Sequence, residues 1–262
     1  MKKHGIKLIH GLGVIKNIKD LRDKVTRAKN NPSELVNLLC KDFNVRQNEQ
    51  DKWLNYDQIN NEATFDMSEV QDTYAVCGVD LSSTTDLTAC TVLIQKGEKR
   101  YCLQQYFIPS ANLEFKIKDD KIPYDIWEKR GLVTICEGAK IDYSQVTQWL
   151  LRIKEEHEIA CLYVGYDPWN SSYWINEMES AGFNMYEVRQ GAKTLSNPMK
   201  QLEADLIDKR LNYNNNPITK WCLCNTAVKR DDNDNIRPVK RTETKSKNRW
   251  IGKFNYSIYS FI

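Results

Sequence analysis

The chain has 262 residues, of which 41% are hydrophobic and 28% charged, and its formal net charge is +3. This composition is sufficient for a hydrophobic core and suits one large domain, or one domain with an appended segment. No apolar run approaches the ~20 residues that cross a bilayer, and the start MKKHGIKLIHGLGVIKNIKD lacks the apolar stretch and cleavage site of a signal peptide. We therefore expect a cytoplasmic protein with no membrane partner.

The first 72 residues predict helices followed by a linker. Apolar residues recur at helical spacing between residues 13 and 29. Pro32 suits the first turn of a second helix, where a backbone N–H would have no helical partner in any case. Residues 44–72 are polar and irregular, with Trp53 and Leu54 as apolar anchors. We expect residues 1–72 to form a helical lead-in and linker, and residues 73–262 to form the main domain.

Strand patterns begin at residue 73. The runs TYAVCGVD, LTACTVLIQ and RYCLQQYF predict three strands, and the short turns between them favour an antiparallel meander. Asp142 and Gln145 have the spacing of a capping box, which predicts the start of a helix. The next apolar run, IACLYVGYD, predicts a buried parallel strand that ends at Asp167.

The remaining segments complete an α/β pattern. Helices are predicted at residues 172–181 and 197–210, with the strand NMYEVRQ between them. The segment ITKWCLCNTAVKRDDNDNIRPVKR predicts a strand and a hairpin with its turn at Asp231–Asn235. The predicted fold is a mixed five- or six-stranded sheet, an antiparallel meander followed by parallel strands, with helices on both faces.

Eight cysteines and three histidines raise the question of disulfides or a zinc site. The sequence has no C-x-x-C pair, and so few histidines make a zinc centre hard to assemble. Most of the cysteines lie in apolar runs, where a free thiol acts as a small hydrophobic side chain. These are Cys77, Cys90, Cys102, Cys161, Cys222 and Cys224. We expect reduced thiols with a structural role.

Two predicted strands end in an acid, Asp80 and Asp167. If the strands are neighbours, the two residues are separated by ~5 Å of sheet spacing, and divalent cations would offset the repulsion between their carboxylates. Oxygen ligands without histidine or cysteine favour Mg²⁺ or Mn²⁺, with two ions expected. Asp86 follows a run of hydroxyl residues and is a candidate third acid. The alternative is that Asp80 caps a turn and Asp167 begins an Asx turn.

Several motifs in order resemble the nuclease half of phage large terminase subunits, over roughly residues 10 to 249. They are GVDLSSTTDLTA, GYDPWN, EVRQGAKTLSNPMKQLE, NPITKWCLCNTAVKRD and NIRPVKR. The resemblance implies an RNase H-like fold and an endonuclease that cuts duplex DNA during genome packaging. It also implies partnership with a small terminase subunit and a portal protein.

The same resemblance assigns roles to individual residues. It makes Asp80 and Asp167 metal ligands and Asp86 a supporting acid. It places Asn225 and Lys240 near the site, and it puts histidine where this chain has Tyr213, a position suited to proton transfer or DNA contact. Basic residues between 229 and 249 would approach DNA. This segment contains eight Lys and Arg residues and four acidic residues. The candidates are Lys229, Arg230, Lys240, Arg241 and Arg249.

Two departures from the family pattern bear on activity. The sequence contains no G-x-x-x-x-G-K-[ST] phosphate loop, so we expect no packaging ATPase in this chain. No acid occurs after Glu243, and the last family carboxylate is therefore absent. The change of pattern after Arg249 suggests an altered gene end, which the other two reading frames of the coding DNA would test. We expect reduced or absent catalysis.

Two other functions remain open at this point. The run DLSSTT has hydroxyls after a strand, as in the first phosphate loop of actin-like ATPases and sugar kinases, but Ser82 and Ser83 stand where glycines usually occur. The second alternative is a DNA-binding or assembly remnant that keeps the basic stretch without a competent metal site. Metal-dependent cleavage that requires Asp80 would separate these alternatives from a nuclease.

Overall fold

The computed structural model describes residues 23–25, 53–82, 87–114, 117, 122–168, 171–189 and 191–239. The chain divides into two units, Met1–Asp51 and Lys52–Ile262. In the first unit the described residues, 23–25, are helical. The helices predicted elsewhere in residues 1–51 lie outside the described residues. Within the described residues, no helix combines the length and the apolar character needed to span a bilayer.

The second unit is an α/β structure. Its strands are β1 (Thr73–Asp80), β2 (Thr88–Lys96), β3 (Lys99–Pro109), β4 (Val133–Cys136), β5 (Ile159–Tyr166), β6 (Met185–Glu187), β7 (Leu211–Asn212), β8 (Ala227–Arg230) and β9 (Ile236–Val239). Its described α-helices are α1 (Tyr56–Ile59), α2 (Tyr124–Lys129), α3 (Ser144–Glu156), α4 (Ser172–Ser180), α5 (Ala192–Ile207) and α6 (Pro217–Cys224).

The main sheet has the predicted mixed topology. Its strand order is β4-β3-β2-β1-β5-β6, with β7 paired to β3, which makes seven strands among the described residues. The meander β1-β2-β3 is antiparallel, whereas β5 is parallel to β1 and β6 is parallel to β5. The seventh strand, β7, has two residues and was not expected from its polar sequence. Strands β8 and β9 form a separate antiparallel hairpin.

Side-chain alternation along the strands supplies a core on each face of the sheet. On one face, β1 residues Ala75, Cys77 and Val79 pack in a cluster with α3 and α4. The helical residues of that cluster are Val146, Trp149, Leu150, Ile153, Trp174 and Met178. On the other face, α2, α5 and α6 cover the meander strands, where Tyr106 and Cys102 of β3 are buried.

Residues 53–70 contribute to these cores. Trp53 and Ile59 are buried in a cluster with α5 and α6, and Val70 is buried in the cluster under α3. The second unit begins at Lys52, which is 21 residues before the boundary expected from the sequence. A functional boundary at residue 72 stays a prediction, but the residues just before it are structurally part of the second unit.

The sequence-based prediction of a strand at residues 218–224 is wrong, because this segment is α6. Asn216 accepts hydrogen bonds from the backbone N–H groups of Ile218 and Thr219, and Pro217 occupies the first turn. Burial at Ile218 and Cys222 follows helical spacing. Short apolar runs are ambiguous between strand and helix, and here the strong start signals decide for helix.

The capping box predicted at Asp142 is also wrong in detail. Helix α3 begins at Ser144, so Tyr143 holds the N-cap position and its side chain makes no capping bond. Asp142 still accepts a hydrogen bond from the Ser144 backbone N–H at 3.0 Å. Gln145 instead contacts Cys136, whose thiol donates to its side-chain oxygen. Asp142 does bond to the backbone at the start of the helix, but the helix begins one residue later than a cap at Asp142 predicts.

Candidate metal centre

The two predicted metal ligands lie at the ends of neighbouring strands. Strands β1 and β5 are parallel, and the last pair in their register is Val79 with Tyr166. Asp80 and Asp167 are the next residues on the two strands, and adjacent strands are ~4.8 Å apart. Asp80 is 6% exposed, and Asp167 is half-buried. The structure therefore brings these two acids to the same edge of the sheet.

Helices α3 and α4 both begin at this edge. Helix α3 ends beside the start of β1, where the Asp72 N–H donates to the His157 carbonyl at 3.2 Å, so its N-terminus lies at the opposite, carboxyl end of the strand. Helix α4 starts at Ser172, shortly after β5 ends. Helix N-termini carry partial positive charge, roughly half an elementary charge each. This partial charge is favourable for anionic groups at the edge of the sheet.

Tyr143 adds a phenol to the centre. It precedes the first residue of α3 and packs against the cluster that contains Val79. Burial, and then the negative charge of Asp80, raise the pKa of Tyr143 above its ordinary value. Its hydroxyl oxygen is buried and has no hydrogen-bond partner among the described residues. A neutral O–H donor therefore lies near the Asp80 carboxylate.

Thr88 holds the chain where it leaves β1. Its buried side-chain oxygen accepts a hydrogen bond from the Ser82 N–H at 2.8 Å and donates to the Ser82 carbonyl at 3.2 Å. These bonds connect the first residue of β2 to a residue two positions after Asp80. They restrict the direction in which the backbone continues beyond the acid.

Sequence analysis did not identify Tyr143 or Thr88 as site residues. The sequence did contain a signal for Thr88, because a hydroxyl-bearing residue stands at the first position of β2, the strand that pairs with β1. The signal for Tyr143 was weaker, because its position beside Asp80 depends on how α3 packs on the sheet.

Some predicted site residues lie elsewhere or outside the described part. Asp86 belongs to the segment 83–86, and Lys240, Arg241 and Arg249 follow residue 239, so all four lie outside the described residues. Asn225 ends α6, and its side chain donates to the Trp221 carbonyl at 2.8 Å. Its observed role is that of a helix cap.

Tyr213 is a structural residue. It is 1% exposed, its hydroxyl donates to the Ile59 carbonyl at 2.8 Å and accepts from the Asn61 N–H at 2.8 Å. Mainly because of burial, its pKa is raised to about 12. These contacts satisfy the hydroxyl within the fold.

The donor chemistry of the centre fits a hard divalent cation. Carboxylate oxygens are the ligands that Mg²⁺ and Mn²⁺ prefer. Within residues 53–82, 87–114, 122–168, 171–189 and 191–239, no three His, Cys, Asp or Glu side chains are grouped to hold a metal. The described centre is thus a carboxylate pair.

The hairpin β8-β9 carries exposed cations. Lys229 lies directly opposite Arg237, and both side chains are exposed. Arg230 is engaged by Asp234, with an Nη1–Oδ1 distance of 2.9 Å. Among the described residues, neither Lys229 nor Arg237 takes part in an ion pair. Like charges directly opposite each other are unfavourable in a strand pair, so this pair of side chains is well suited to an anionic partner.

Comparisons with known proteins agree with this architecture. The terminase large subunit of Enterobacteria phage HK97 is 27% identical over 157 residues, which are 59% of this chain and 31% of that protein. The terminase large subunit of Lactococcus phage SK1 is 23% identical over 194 residues, or 68% of this chain and 34% of that protein. The chain therefore spans about one third of the length of these curated relatives.

A solved structure supports the fold. The crystal structure of the HK97 bacteriophage large terminase matches with a TM-score of 0.62 and 20% identity, covering 96% of this chain and 51% of that chain. This likeness confirms the RNase H-like, mixed α/β fold expected from the sequence. A family model described as the endonuclease domain of the terminase large subunit matches residues 4–250. The chain therefore belongs to the terminase large subunit endonuclease domain family.

Proposed function

We propose that this chain is a divalent-metal-dependent endonuclease that cuts concatemeric duplex DNA during phage genome packaging. The observation that carries the proposal is the position of Asp80 and Asp167 at the ends of two adjacent parallel strands. Membership of the terminase endonuclease family supports the reaction class. The small terminase subunit and the portal protein are the proposed partners, as the family resemblance of the sequence implies.

In the proposed reaction Asp80 and Asp167 bind the metal through their carboxylate oxygens, and Asp86 supports them. Bound divalent cations would neutralise the carboxylates, lower the pKa of a water molecule and stabilise the leaving oxygen. Burial keeps Asp80 in a fixed orientation, and the hydrogen bonds of Thr88 hold the following backbone. Like any tyrosine, Tyr143 is protonated at neutral pH, and its raised pKa keeps it so; the hydroxyl can donate to an oxygen atom at the centre.

The hairpin β8-β9 is the proposed contact for the DNA backbone. Lys229 and Arg237 present two cations on the hairpin face opposite Ile236, which is buried and whose N–H donates to Ser196 of α5 at 3.1 Å. Arg230 is a weaker candidate, because Asp234 already neutralises part of its charge. Lys240, Arg241 and Arg249 extend the same basic stretch and remain proposed DNA contacts.

Plasmid cleavage tests the function directly. Supercoiled plasmid is incubated with the folded protein in Mg²⁺, in Mn²⁺ and in chelator, beside Asp80→Asn and Asp167→Asn. We expect metal-dependent nicking that each substitution lowers by several orders of magnitude, because a lost carboxylate impairs charge neutralisation and water activation. Glu137→Gln is the matched control, since Glu137 is an exposed acid just after β4 at the same sheet edge.

The outcome also decides whether the altered C-terminal sequence matters. Weak but Asp80-dependent nicking would fit a nuclease impaired by the missing family carboxylate. No nicking in Mn²⁺ by a folded protein that binds DNA would favour the DNA-binding remnant over the enzyme. Cleavage that persists in Asp80→Asn and Asp167→Asn would contradict the proposed metal centre.

A further inference from the structure

Two thiols are in direct contact across the central strand pair. The Sγ atoms of Cys77 on β1 and Cys161 on β5 are 2.6 Å apart, with the Cys77 thiol donating to Cys161. Cys161 pairs in register with Ala75, and a register shift follows between Ala75 and Val76. Cys77 lies two residues beyond Ala75 on β1, on the same face of the sheet as Ala75. The contact joins residues 84 positions apart in the sequence.

The two thiols differ in a way that suits thiol–disulfide exchange. Cys161 is partly exposed, whereas Cys77 is buried. The hydrogen bond from Cys77 lowers the pKa of the Cys161 thiol, and the positive charge of Lys154 acts in the same direction. The pKa of Cys77 is raised by that hydrogen bond and by burial. Cys161 is thus the accessible thiol with more thiolate character, and its neighbour is protected from solvent.

We propose that Cys77 and Cys161 form a reversible disulfide when the folded protein meets a low-molecular-weight disulfide oxidant. The Cys161 thiolate attacks one sulfur of the oxidant, forms a mixed disulfide and releases one thiolate. Cys77 then attacks the Cys161 sulfur, and its proton passes to the second oxidant sulfur, which leaves as a thiol. Two protein thiols are oxidised by two electrons, and one oxidant disulfide is reduced to two thiols.

The bridge would join the strands that carry the two acids. Cys77 lies three residues before Asp80, and Cys161 lies six residues before Asp167. Cys77 belongs to the core under α3, together with Val79. A covalent bond there restrains β1 relative to β5 without using either carboxylate. The proposal does not depend on nuclease activity, and its test needs neither DNA nor metal.

Peptide mapping after oxidation tests the proposal. The folded full chain is incubated with oxidised glutathione, remaining thiols are blocked with N-ethylmaleimide, and the protein is digested without reduction. We expect a linked peptide pair containing Cys77 and Cys161, a loss of two hydrogen atoms from the intact mass, and reversal by dithiothreitol. Cys161→Ser should abolish the linked pair. Cys224→Ser is the matched control, because Cys224 is also partly exposed but lies on α6.

Two results would overturn the proposal. In one, glutathione remains attached to Cys161 and no bond to Cys77 forms. In the other, the linked pair forms in denaturant but not in the folded protein, which would show that the two thiols react only in unfolded molecules. Cys161 is replaced rather than the buried Cys77 because its side chain is partly exposed. We therefore expect Cys161→Ser to fold.

Discussion

The local environments of Asp80 and Tyr143 make the site more specific than a pair of acids. Asp80 is 6% exposed, and its negative charge contributes to the raised pKa of Tyr143. A buried phenol close to the proposed metal-binding carboxylate can hold a water molecule or a phosphate oxygen in position. We therefore propose that Tyr143 is a positioning residue, whose effect should appear in metal dependence as well as in rate.

Tyr143→Phe removes this hydroxyl and keeps the ring. We expect cleavage to fall by about 10-fold and the metal concentration for half-maximal cleavage to rise, because groups behind metal ligands commonly contribute factors of this size. The measurement is initial nicking rate across a Mn²⁺ titration. Tyr74→Phe is the control, since Tyr74 is 68% exposed on the same strand as Asp80. An unchanged metal titration for Tyr143→Phe would contradict the assigned role.

The raised pKa of Tyr213 predicts how the free energy of unfolding depends on pH in the alkaline range. Its pKa is about 12 in the fold, whereas an unfolded tyrosine titrates near 10. Below pH ~10 the phenol is protonated in both states, and its contribution to stability is complete. Between these values the unfolded chain loses the proton first, so stability falls with rising pH, by at most about 1.4 kcal/mol per unit.

Tyr213→Phe should flatten this alkaline slope. At neutral pH it should lower the free energy of unfolding by about 1–3 kcal/mol, because the Ile59 carbonyl and the Asn61 N–H lose their partner. Urea unfolding at several pH values measures both effects. Tyr56→Phe, at a residue 56% exposed, serves as the control. A variant as stable as the wild type would show that the two hydrogen bonds contribute little.

At the scale of elements, a buried ion pair between Asp205 and Arg100 connects α5 to strand β3 of the meander. Asp205 is 2% exposed on α5 and pairs with Arg100 of β3 and with Arg210, whose Nε lies 3.5 Å from Oδ1. Gln201, one turn earlier, donates to the same carboxylate at 3.1 Å. These polar contacts fix how α5 lies against the β3-β7 edge, and the hairpin β8-β9 rests on α5 in turn.

Asp205→Asn should be strongly destabilising. Removing the carboxylate leaves the Arg100 charge without its buried partner, which commonly costs about 3–5 kcal/mol. Asp234→Asn is the matched control: Asp234 also pairs with two cations, Arg230 and Lys200, but is exposed. We expect little change there, because solvent screens surface pairs. Thermal and urea unfolding measure the difference, and equal effects at the two sites would contradict this assignment.

At the scale of the whole molecule, the distribution of charge matters more than the total. The net charge of +3 is small, but the hairpin presents Lys229 and Arg237 together on one exposed face. Two acids of the turn have partners within the hairpin, since Asp231 accepts from Asn235 and Asp234 from Arg230. The third, Asp232, is exposed in the turn rather than on the strands. An anionic polymer would therefore meet the strands of the hairpin as a positive surface.

DNA affinity measured against salt concentration tests this surface. For duplex DNA in chelator, Lys229→Ala and Arg237→Ala should each reduce the slope of log affinity against log salt by about 0.9, the value for one phosphate contact. Arg230→Ala should change the slope less, because Asp234 offsets its charge. A larger effect of Arg230→Ala than of the other two would contradict the proposed contact surface.

Much of the fold was predictable because its signals are local. Alternation and apolar runs located β1, β2, β3 and β5, and the acids at residues 80 and 167 followed from strand ends. The prediction failed at α6, because an eight-residue apolar segment fits either a strand or a helix. The helix-start signals there are Asn216, which caps the helix, and Pro217 in its first turn. The prediction also missed the two-residue strand β7, which exists because β3 offers a partner rather than because of its own sequence.

The sequence by itself determined the strands β1, β2, β3 and β5, the acids that follow from the ends of two of them and the family resemblance, since each depends on residues close together in the chain. Only the tertiary structure decided that Val79 pairs with Tyr166, that Tyr143 lies near Asp80 and that Cys77 touches Cys161. Those contacts depend on strand order, register and helix packing. They arise from the burial of whole faces, and a one-residue change of register would alter them all.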